Sequence, residues 1–263
     1  MLSPYNTQAD FTNENFPGSV QTQVTGLNNR GTRDFDDSIK FNRTFRGTTV
    51  GFWSDMNNAS MVNNNFGFVN IGGQNGTFIK VNNPGTGVIN GVKTNQLLGV
   101  NDFDIAVGFY IDTAGAMHGY VYGIAGGFFS LNIDDPNGVG TTTAAAINNR
   151  DQIAGFYVDT ATGVTHGFFE SGGVFKTIDA PGVTATSLLG LNNFGIAVGF
   201  DSDTAMQMHG IICNVVTAKC QTLDDPNGIG TTTFDGLNDL GQIVGFYVNG
   251  QGNTIGLLAT PLW

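Results

Sequence analysis

Residues 190–210 read GLNNFGIAVGFDSDTAMQMHG and contain three markers that recur, in the same order, along the whole chain. The first marker is GLNN, the second is VGF and the third is HG followed by apolar residues. The Asn of the first marker stands at Asn28, Asn101, Asn148, Asn192 and Asn238. From Asn101 onward the intervals are 47, 44 and 46 residues, and only the first interval, 73 residues, is longer. This spacing predicts a repeat architecture.

Each repeat has the pattern of four short β-strands. In the third repeat the strands are an inner strand before Asn148, then QIAGFYVD, THGFFES and VFKTIDAPG. They are rich in β-branched and aromatic residues, and turn residues separate them. A four-stranded unit of about 45 residues is typical of a β-propeller blade, whereas a β-helix has shorter repeats.

The two ends of the chain predict how such a ring closes. Repeats one to four end in a Pro-containing marker, at Pro84, Pro136, Pro181 and Pro226, but the fifth stops at LLATPLW without one. A further copy, DFTNENFPG, precedes the first inner strand. We therefore predict an all-β fold with one domain over residues 1–263. It is a five-bladed β-propeller with four antiparallel strands per blade, closed by the N-terminal strand that completes the last blade.

The predicted blade boundaries follow from these markers. They are about 21–84 for blade 1 with a charged insertion at about 32–47, 92–136 for blade 2, 141–181 for blade 3, 183–226 for blade 4, and 229–263 plus 9–17 for blade 5.

The composition agrees with a turn-rich β protein. The 263 residues include 39 Gly, 29 Asn and only 2 Glu, which disfavours a helical bundle. A net charge of −11 argues against nucleic-acid binding, because phosphate neutralisation requires Lys and Arg. No apolar run is long enough to span a membrane.

The repeat pattern VGFY-D-x-x-G-x-x-HGF-x-x-x-x-G-x-F-x-x-I-D-x-PG resembles that of the bacterial extracellular HAF-repeat family. The resemblance covers essentially the whole chain, although the first repeat has NFG and the fifth has TIG in place of HGF. It implies a secreted or surface-located protein and does not specify an activity.

Cys213 and Cys220 are the two cysteines, and they flank a short polar turn. They could face each other across a hairpin, and we predict a disulfide, which would place the protein outside the cytoplasm. The alternative is two small buried side chains in a reducing compartment. The segment after Met1 lacks the basic and apolar regions of a signal peptide, so it is interpreted as a mature chain behind an added Met or as a cytoplasmic protein. We expect an extracellular or cell-surface monomer.

His118, His166 and His209 occupy the same position in three consecutive repeats. Three equivalent histidines suggest a metal site. We interpret them instead as structural, because each would tie a strand end to a neighbouring turn and the ring would hold them apart. The Asn and Pro series are interpreted in the same way, as turn caps and crossover residues. The glycines of VGF and HGF are expected to admit an aromatic ring of the neighbouring blade.

Two features break the symmetry of the repeat, and function is expected there because binding residues lie on loops over a rigid frame. The first is the insertion, where a cluster of charges could bind an anionic or hydroxyl-rich ligand, or could be a solvated loop that neutralises itself. Its candidate residues are Arg33, Asp36, Asp37, Lys40, Arg43 and Arg46, and we add Trp53 from the strand that follows.

The second feature is Asp235, in the inner strand of the fifth repeat. Its counterparts are Thr25, Leu98, Ala145 and Leu189. A single carboxylate near the axis could be catalytic, could bind a cation or a sugar hydroxyl, or could be a hydrogen-bonded core residue. Gln23 and Gln96 in the matching strands are expected to offer amides to the same region.

The loops predict one acidic face and one mixed, relatively basic face. The acidic face carries Asp112, Asp134, Asp135, Asp159, Asp179, Asp201, Asp203, Asp224 and Asp225, and the other carries Arg30, Arg150, Lys219 and the insertion. The acidic face could attract Ca²⁺ or a basic partner. We expect no cofactor, because no DxDxDG calcium loop occurs.

Three functions remain open from the sequence. The first is a secreted binding propeller for glycans or a surface partner, favoured by repeated clefts and the absence of a catalytic motif. The second is a carbohydrate-active hydrolase or lyase with one site at the channel mouth near Asp235 and the insertion. A standard glycosidase needs two carboxylates, and Glu14 and Glu170 lie in outer strands. The third is a structural surface protein.

Overall fold

The computed structural model describes residues 15–28, 47–57, 62–72, 76–129 and 132–260. Every regular secondary-structure element within these ranges is a β-strand, as the composition predicts. No helix among these residues is long and apolar enough to cross a membrane. The charged insertion and the N-terminal segment before residue 15 lie outside the described residues.

The strands form five consecutive units that follow the sequence repeat. Unit 1 contains β1 (Gln21–Leu27), β2 (Thr48–Asn57), β3 (Val62–Ile71) and β4 (Thr77–Val81), and unit 2 contains β5 (Asn95–Val100), β6 (Ile105–Ile111), β7 (Met117–Gly123) and β8 (Phe128–Phe129). Unit 3 contains β9 (Thr143–Ile147), β10 (Ile153–Val158), β11 (Thr165–Ser171) and β12 (Val174–Ile178), and unit 4 contains β13 (Ala185–Leu191), β14 (Ile196–Ser202), β15 (Met208–Asn214) and β16 (Lys219–Thr222). Unit 5 contains β17 (Thr233–Leu237), β18 (Ile243–Val248) and β19 (Thr254–Ala259).

Units 1 to 4 are four-stranded antiparallel meanders, as predicted. A parallel pairing of Thr165 with Ala185 joins units 3 and 4 into one sheet. Unit 5 has three strands among the described residues. The strand expected to complete it, residues 9–17, falls mostly outside the described ranges, and residues 15–17 approach β1 without strand pairing.

Neighbouring units pack through their first and second strands. At each boundary an apolar residue of the second strand packs with an apolar residue of the inner strand of the next unit, and both residues are buried. The pairs share a core cluster at each boundary: Val50 with Leu97, Val107 with Ala144, Ala154 with Leu188, and Val198 with Phe234. Each of these side chains has less than 2% of its surface exposed, so an apolar core cluster fills each of these four boundaries.

The repeated glycines are required by close approaches of two kinds. A Cβ on Gly119, in the HGF series, would lie 2.5 Å from the Ile133 carbonyl and 3.4 Å from Ala144 of the next unit. Here the close approach is to a carbonyl of the same unit, and the neighbour is an alanine rather than an aromatic ring. The expected ring contact is found at Gly210, where a Cβ would lie 2.7 Å from the ring of Phe234 in the next unit. Gly108, in the VGF series, instead faces the Gln96 carbonyl of its own inner strand, and the other VGF glycines face the equivalent carbonyl. The expectation that VGF glycines accommodate an adjacent blade was wrong, because a distortion of the inner strand pushes its carbonyl against them.

The repeated Asn side chains connect each unit to the next. The Oδ1 of Asn101 accepts hydrogen bonds from the N–H groups of Phe103 and Ile105, each at 3.0 Å, and so caps its own turn. Its Nδ2 donates to the carbonyl of Asn148 at 3.1 Å. The same inter-unit bond runs from Asn28 to Asn101 at 3.2 Å, from Asn148 to Asn192 at 3.1 Å and from Asn192 to Asn238 at 3.4 Å. One carboxamide therefore holds both a turn and a boundary between units.

Replacing Asn148 with Ala should destabilise the protein by about 1–3 kcal/mol, because it removes the buried side-chain acceptor of the Arg150 and Gln152 N–H groups and the hydrogen bond from Nδ2 to the Asn192 carbonyl. The free energy of unfolding in urea measures the effect. Asn137→Ala, at an exposed Asn whose side chain makes no hydrogen bond to described residues, is the control and should change stability by less than about 0.5 kcal/mol. Equal effects of the two substitutions would contradict the proposed role.

Candidate functional site

Each inner strand carries a β-bulge at the same place in the repeat. The pairing register shifts between Val24 and Gly26, between Leu97 and Gly99, between Ala144 and Ala146, between Leu188 and Gly190, and between Phe234 and Gly236. The extra residues are therefore Thr25, Leu98, Ala145, Leu189 and Asp235. A bulge leaves one residue out of the ladder and turns its side chain away from the regular alternation.

The five bulge residues line a single cavity of about 520 Å³. The inner strands contribute its walls from the bulge to the Asn turn, so all five units take part. The wall is mostly aliphatic, and a polar rim surrounds the mouth, with Asp102, Asn149, Asn193, Asp239 and Gln242. No Lys or Arg of the described ranges lines this cavity.

Asp235 is the ionisable member of the bulge series. It is solvent-exposed at the cavity and makes no hydrogen bond to any described group, so the alternative of a hydrogen-bonded core residue was wrong. The surrounding wall still removes part of its hydration, and this desolvation raises the pKa of the carboxyl above its ordinary value. A carboxyl group with a raised pKa and unused hydrogen-bonding capacity can bind a ligand or exchange a proton with it.

Hydrogen bonds between neighbouring units join the rim residues of units 2 to 5. The N–H of Asp102 donates to Asn149 Oδ1 at 2.8 Å, that of Asn149 to Asn193 Oδ1 at 2.8 Å, and that of Asn193 to Asp239 Oδ1 at 2.9 Å. Asp102 and Asp239 were not predicted from the sequence as site residues. Each directly follows the Asn of the first marker, at a position where the other three repeats have a second Asn. This replacement of Asn by Asp was the sequence signal that could have identified them.

The other sequence candidates do not meet at the cavity. Gln23 and Gln96 precede the bulge, and the cavity begins at the bulge, so neither lines it. The expectation that they offer amides beside Asp235 was wrong. Trp53 is buried in the aromatic core of unit 1, where Phe16 stacks on it at 4.3 Å and Lys80 Nζ lies 5.0 Å from its ring. Arg33, Asp36, Asp37, Lys40, Arg43 and Arg46 lie outside the described residues.

The histidines lie among carboxylates of the face predicted to be acidic. His118 Nδ1 is 2.7 Å from Asp134 Oδ2, and its Nε2 is 3.4 Å from Asp112 Oδ2. His209 Nδ1 is 2.7 Å from Asp224 Oδ2, and its Nε2 is 3.7 Å from Asp203 Oδ2. Each imidazole thus links the turn after its unit's second strand to the segment after the fourth. These bonds support the structural interpretation.

The same contacts shift the pKa values of these groups. Burial lowers the pKa of His118, but the hydrogen bonds and charges of Asp134 and Asp112 outweigh it and raise the pKa overall. For His209 the hydrogen bond to Asp224 dominates and also raises the pKa. Backbone N–H donors lower the pKa values of Asp112 and Asp203, which remain ionised beside the imidazoles at neutral pH.

Cys213 on β15 and Cys220 on β16 are directly paired in the sheet and form a disulfide, with their Cα atoms 4.0 Å apart. The predicted pairing is confirmed. The disulfide is compatible with an extracellular protein.

The double variant His118→Gln/His209→Gln should weaken the pH dependence of stability. A raised pKa in the folded state means that protonation stabilises the fold. That contribution is complete below the ordinary value of 6.5 and is lost as the pH rises through the folded-state pKa. Wild-type stability in urea should therefore fall over this window, and the variant should fall less. A decline of equal steepness in both proteins would show that these histidines are not responsible.

Comparison with known proteins identifies the fold. A scan against protein-family models and a search of curated proteins each find no match. Among solved structures, an arginine-to-alanine triple mutant of AofleA from Arthrobotrys oligospora has a TM-score of 0.52 and 10% identity, over 93% of this chain and 70% of that one. TolB from Acinetobacter baumannii has a TM-score of 0.50 and 9% identity over 81% of this chain, which spans only 51% of TolB.

A third structure, the BP39L lectin from Burkholderia pseudomallei, has a TM-score of 0.45 and 15% identity, over 81% of this chain and 63% of the lectin. At these identities the two stronger matches show the fold alone. Together with the repeated antiparallel units, they show that the chain is an all-β protein of the β-propeller type.

Proposed function

We propose that this protein is a secreted binding β-propeller that takes a hydroxyl-rich ligand, such as a glycan, at the mouth of the central cavity. The observation that carries the proposal is the convergence of five bulges on one cavity in which Asp235 is the ionisable bulge residue and makes no hydrogen bond to described groups. Amides and carboxylates at the rim can bond hydroxyl groups, and the aliphatic wall can contact the C–H face of a sugar ring. The acidic lining disfavours an anionic ligand.

A secreted location is part of the proposal. The Cys213–Cys220 disulfide supports it, as does the resemblance of the repeat to the HAF-repeat family. Membership of that family stays a prediction. The insertion with its arginines stays a candidate to contact the ligand.

An enzyme is the second candidate, because of the raised pKa of Asp235. A carboxyl group whose pKa is raised can act as a general acid, and Asp102 and Asp239 provide further carboxylates on the same cavity. A hydrolase or a lyase acting on a carbohydrate would use such a pair.

A glycan array and a polysaccharide-turnover screen on wild type, Asp235→Asn and Asp225→Asn would test both functions. Asp235→Asn should weaken binding about tenfold to a hundredfold, because it removes a charge-assisted hydrogen bond at nearly constant shape. Asp225→Asn has the same charge change away from the cavity and should bind normally, since Asn83 serves the same turn in unit 1.

Turnover that falls at least about a hundredfold in Asp235→Asn would favour the enzyme over the binding protein. Absence of both binding and turnover in the wild type would contradict both functions and leave the structural surface protein.

We also propose that the ring has five blades and is closed by the residues before Phe16. The N–H of Phe16 bonds to Thr22 Oγ1 at 3.0 Å. The same bond follows the fourth strand of every preceding unit, from Asn83 to Asn95, Asp135 to Thr142, Ala180 to Thr186 and Asp225 to Thr232. This repetition supports a fourth strand of unit 5 immediately before Phe16.

The exposure of the core pair at this boundary supports the same conclusion. Val24 is 47% exposed and Val244 is 51% exposed, whereas their counterparts in the other units are at most 1% exposed. A Cβ on Gly236 would meet only Val244 within 4 Å, although the equivalent Gly190 abuts the next inner strand. Closure would bury Val24 against Val244, which favours it through removal of apolar surface from water.

Hydrogen exchange in the whole chain and in a chain lacking residues 1–14 tests this closure. The β19 amides that do not bond to β18 should exchange at least about tenfold more slowly in the whole chain, because the added strand would accept their hydrogen bonds. The amides of β16, an outer strand already in place, are the control. Equal β19 exchange in the two proteins would rule out closure by this segment.

A further inference from the structure

The histidine of unit 3 differs from its two counterparts in what surrounds its second nitrogen. In His118 and His209 both ring nitrogens face a carboxylate. His166 Nδ1 is 2.8 Å from Asp179 Oδ2, as in the other units, but its Nε2 has no hydrogen-bond partner among the described residues. The three histidines occupy the same position in the repeat, but only in unit 3 does one ring nitrogen lack a described partner.

The cause is a single extra residue in the turn between β10 and β11. His118 and His209 each follow the turn's Asp by six positions, whereas His166 follows Asp159 by seven. Asp159 caps this longer turn by accepting hydrogen bonds from the N–H groups of Ala161 and Thr162, each at 2.8 Å. Asp112 and Asp203 cap their turns through Oδ1 in the same way, yet their Oδ2 atoms lie 3.4 and 3.7 Å from the Nε2 of His118 and His209. The difference in unit 3 is therefore the added residue, which leaves no Asp159 oxygen within that distance of the Nε2 of His166.

The uncovered nitrogen belongs to a groove of about 180 Å³ between units 3 and 4. The connection that borders it is short, because Thr186 follows Pro181 by five positions while Thr142 follows Pro136 by six. Val164, Val183 and Thr184 line the groove beside His166 and Asp179. The side chains of His166 and Asp179 are 24% and 37% exposed, so a molecule in solution can reach the pair.

The chemistry of the pair selects the kind of ligand. The Asp179 carboxylate can only accept, so Nδ1 carries the proton and Nε2 of the neutral imidazole presents a lone pair. Nε2 can then accept a hydrogen bond from a hydroxyl group, while the two valines provide an apolar wall. Asp179 disfavours an anion, and the described residues hold no group of three His, Cys, Asp or Glu side chains suited to a metal.

We propose that this groove is a second binding site, separate from the central cavity, that takes one small polyhydroxylated ring through the Nε2 of His166. Its volume is below that of pockets for larger ligands, which are about 300–1,000 Å³. The site does not depend on Asp235.

Nitrogen-15 imidazole spectra of the whole chain, titrated with methyl α-mannoside, methyl α-glucoside and methyl β-galactoside, would test the proposal. At least one glycoside should shift the His166 Nε2 signal saturably, with a dissociation constant on the order of millimolar, as expected for a small shallow site. The signals of His118 and His209 should stay in place and serve as internal references. Asp235→Asn should leave the His166 shift unchanged, which separates this site from the cavity.

Deletion of Thr162 restores the six-residue spacing and should let Asp159 cover Nε2, weakening the response at least tenfold. The converse variant, a Thr inserted after Ala114, should make His118 responsive and guards against a deletion variant that fails to fold. No saturable shift at His166 with any glycoside, or an undiminished shift in a folded Thr162 deletion, would overturn the proposal. So would a response to Zn²⁺ alone, which would identify the imidazole as a metal ligand.

Discussion

The carboxamide of the repeated Asn is the interaction on which the architecture depends. Its oxygen closes the turn after the inner strand, and its nitrogen reaches the carbonyl of the equivalent Asn in the next unit. Only Asn combines an acceptor and two donors on so short a side chain, because Asp lacks the donors and Gln is longer. The turn and the boundary between units are therefore set by the same group. The positions of the rim residues also depend on this carboxamide, because four of the five rim residues directly follow these Asn residues in the chain.

The bulge in each inner strand is the second constraint. It explains both the glycine of the VGF marker and the side chains that line the cavity. The extra residue turns into the cavity, and the strand carbonyl beside it presses on the second strand, where only Gly fits. The bulges thus provide five equivalent positions that line the cavity. A carboxylate at one of them, Asp235, changes the chemistry of the cavity without disturbing the packing behind it.

Residues that differ from the repeat can keep the hydrogen bond that the other units make at the same position. The Tyr110 hydroxyl donates to Asn132 Oδ1 at 2.8 Å, which links the second strand of unit 2 to the segment after its fourth strand. The Tyr157 and Thr177 hydroxyls bond at 3.1 Å and link the second and fourth strands of unit 3. In unit 4 the equivalent residue is Asp201, which accepts from Thr222 at 3.3 Å. Burial raises the pKa of Asp201, so this substitution keeps the link but places a costly charge in the core. In unit 3 a contact is lost and not replaced, because the longer turn leaves the Nε2 of His166 without a carboxylate. The imidazole there lines a groove.

The sequence by itself determined the strand pattern, the turns and the partners within one unit. Marker spacing aligned Asp235 with Thr25, Leu98, Ala145 and Leu189, and these residues do line one cavity. The cysteine pair was also predictable, because both residues lie on one hairpin.

Only the tertiary structure decided which side chains share the site. Gln23 and Gln96 were misplaced because a bulge breaks the two-residue alternation, and where the cavity begins depends on strand register. Trp53 was misplaced because its ring packs against the aromatic rings of unit 1. The absence of a described hydrogen-bond partner for Asp235, and the uncovered nitrogen of His166, depend on where neighbouring loops come to rest. Residue spacing can specify which positions are equivalent, but exposure and hydrogen bonding result from the packing of every unit against the next.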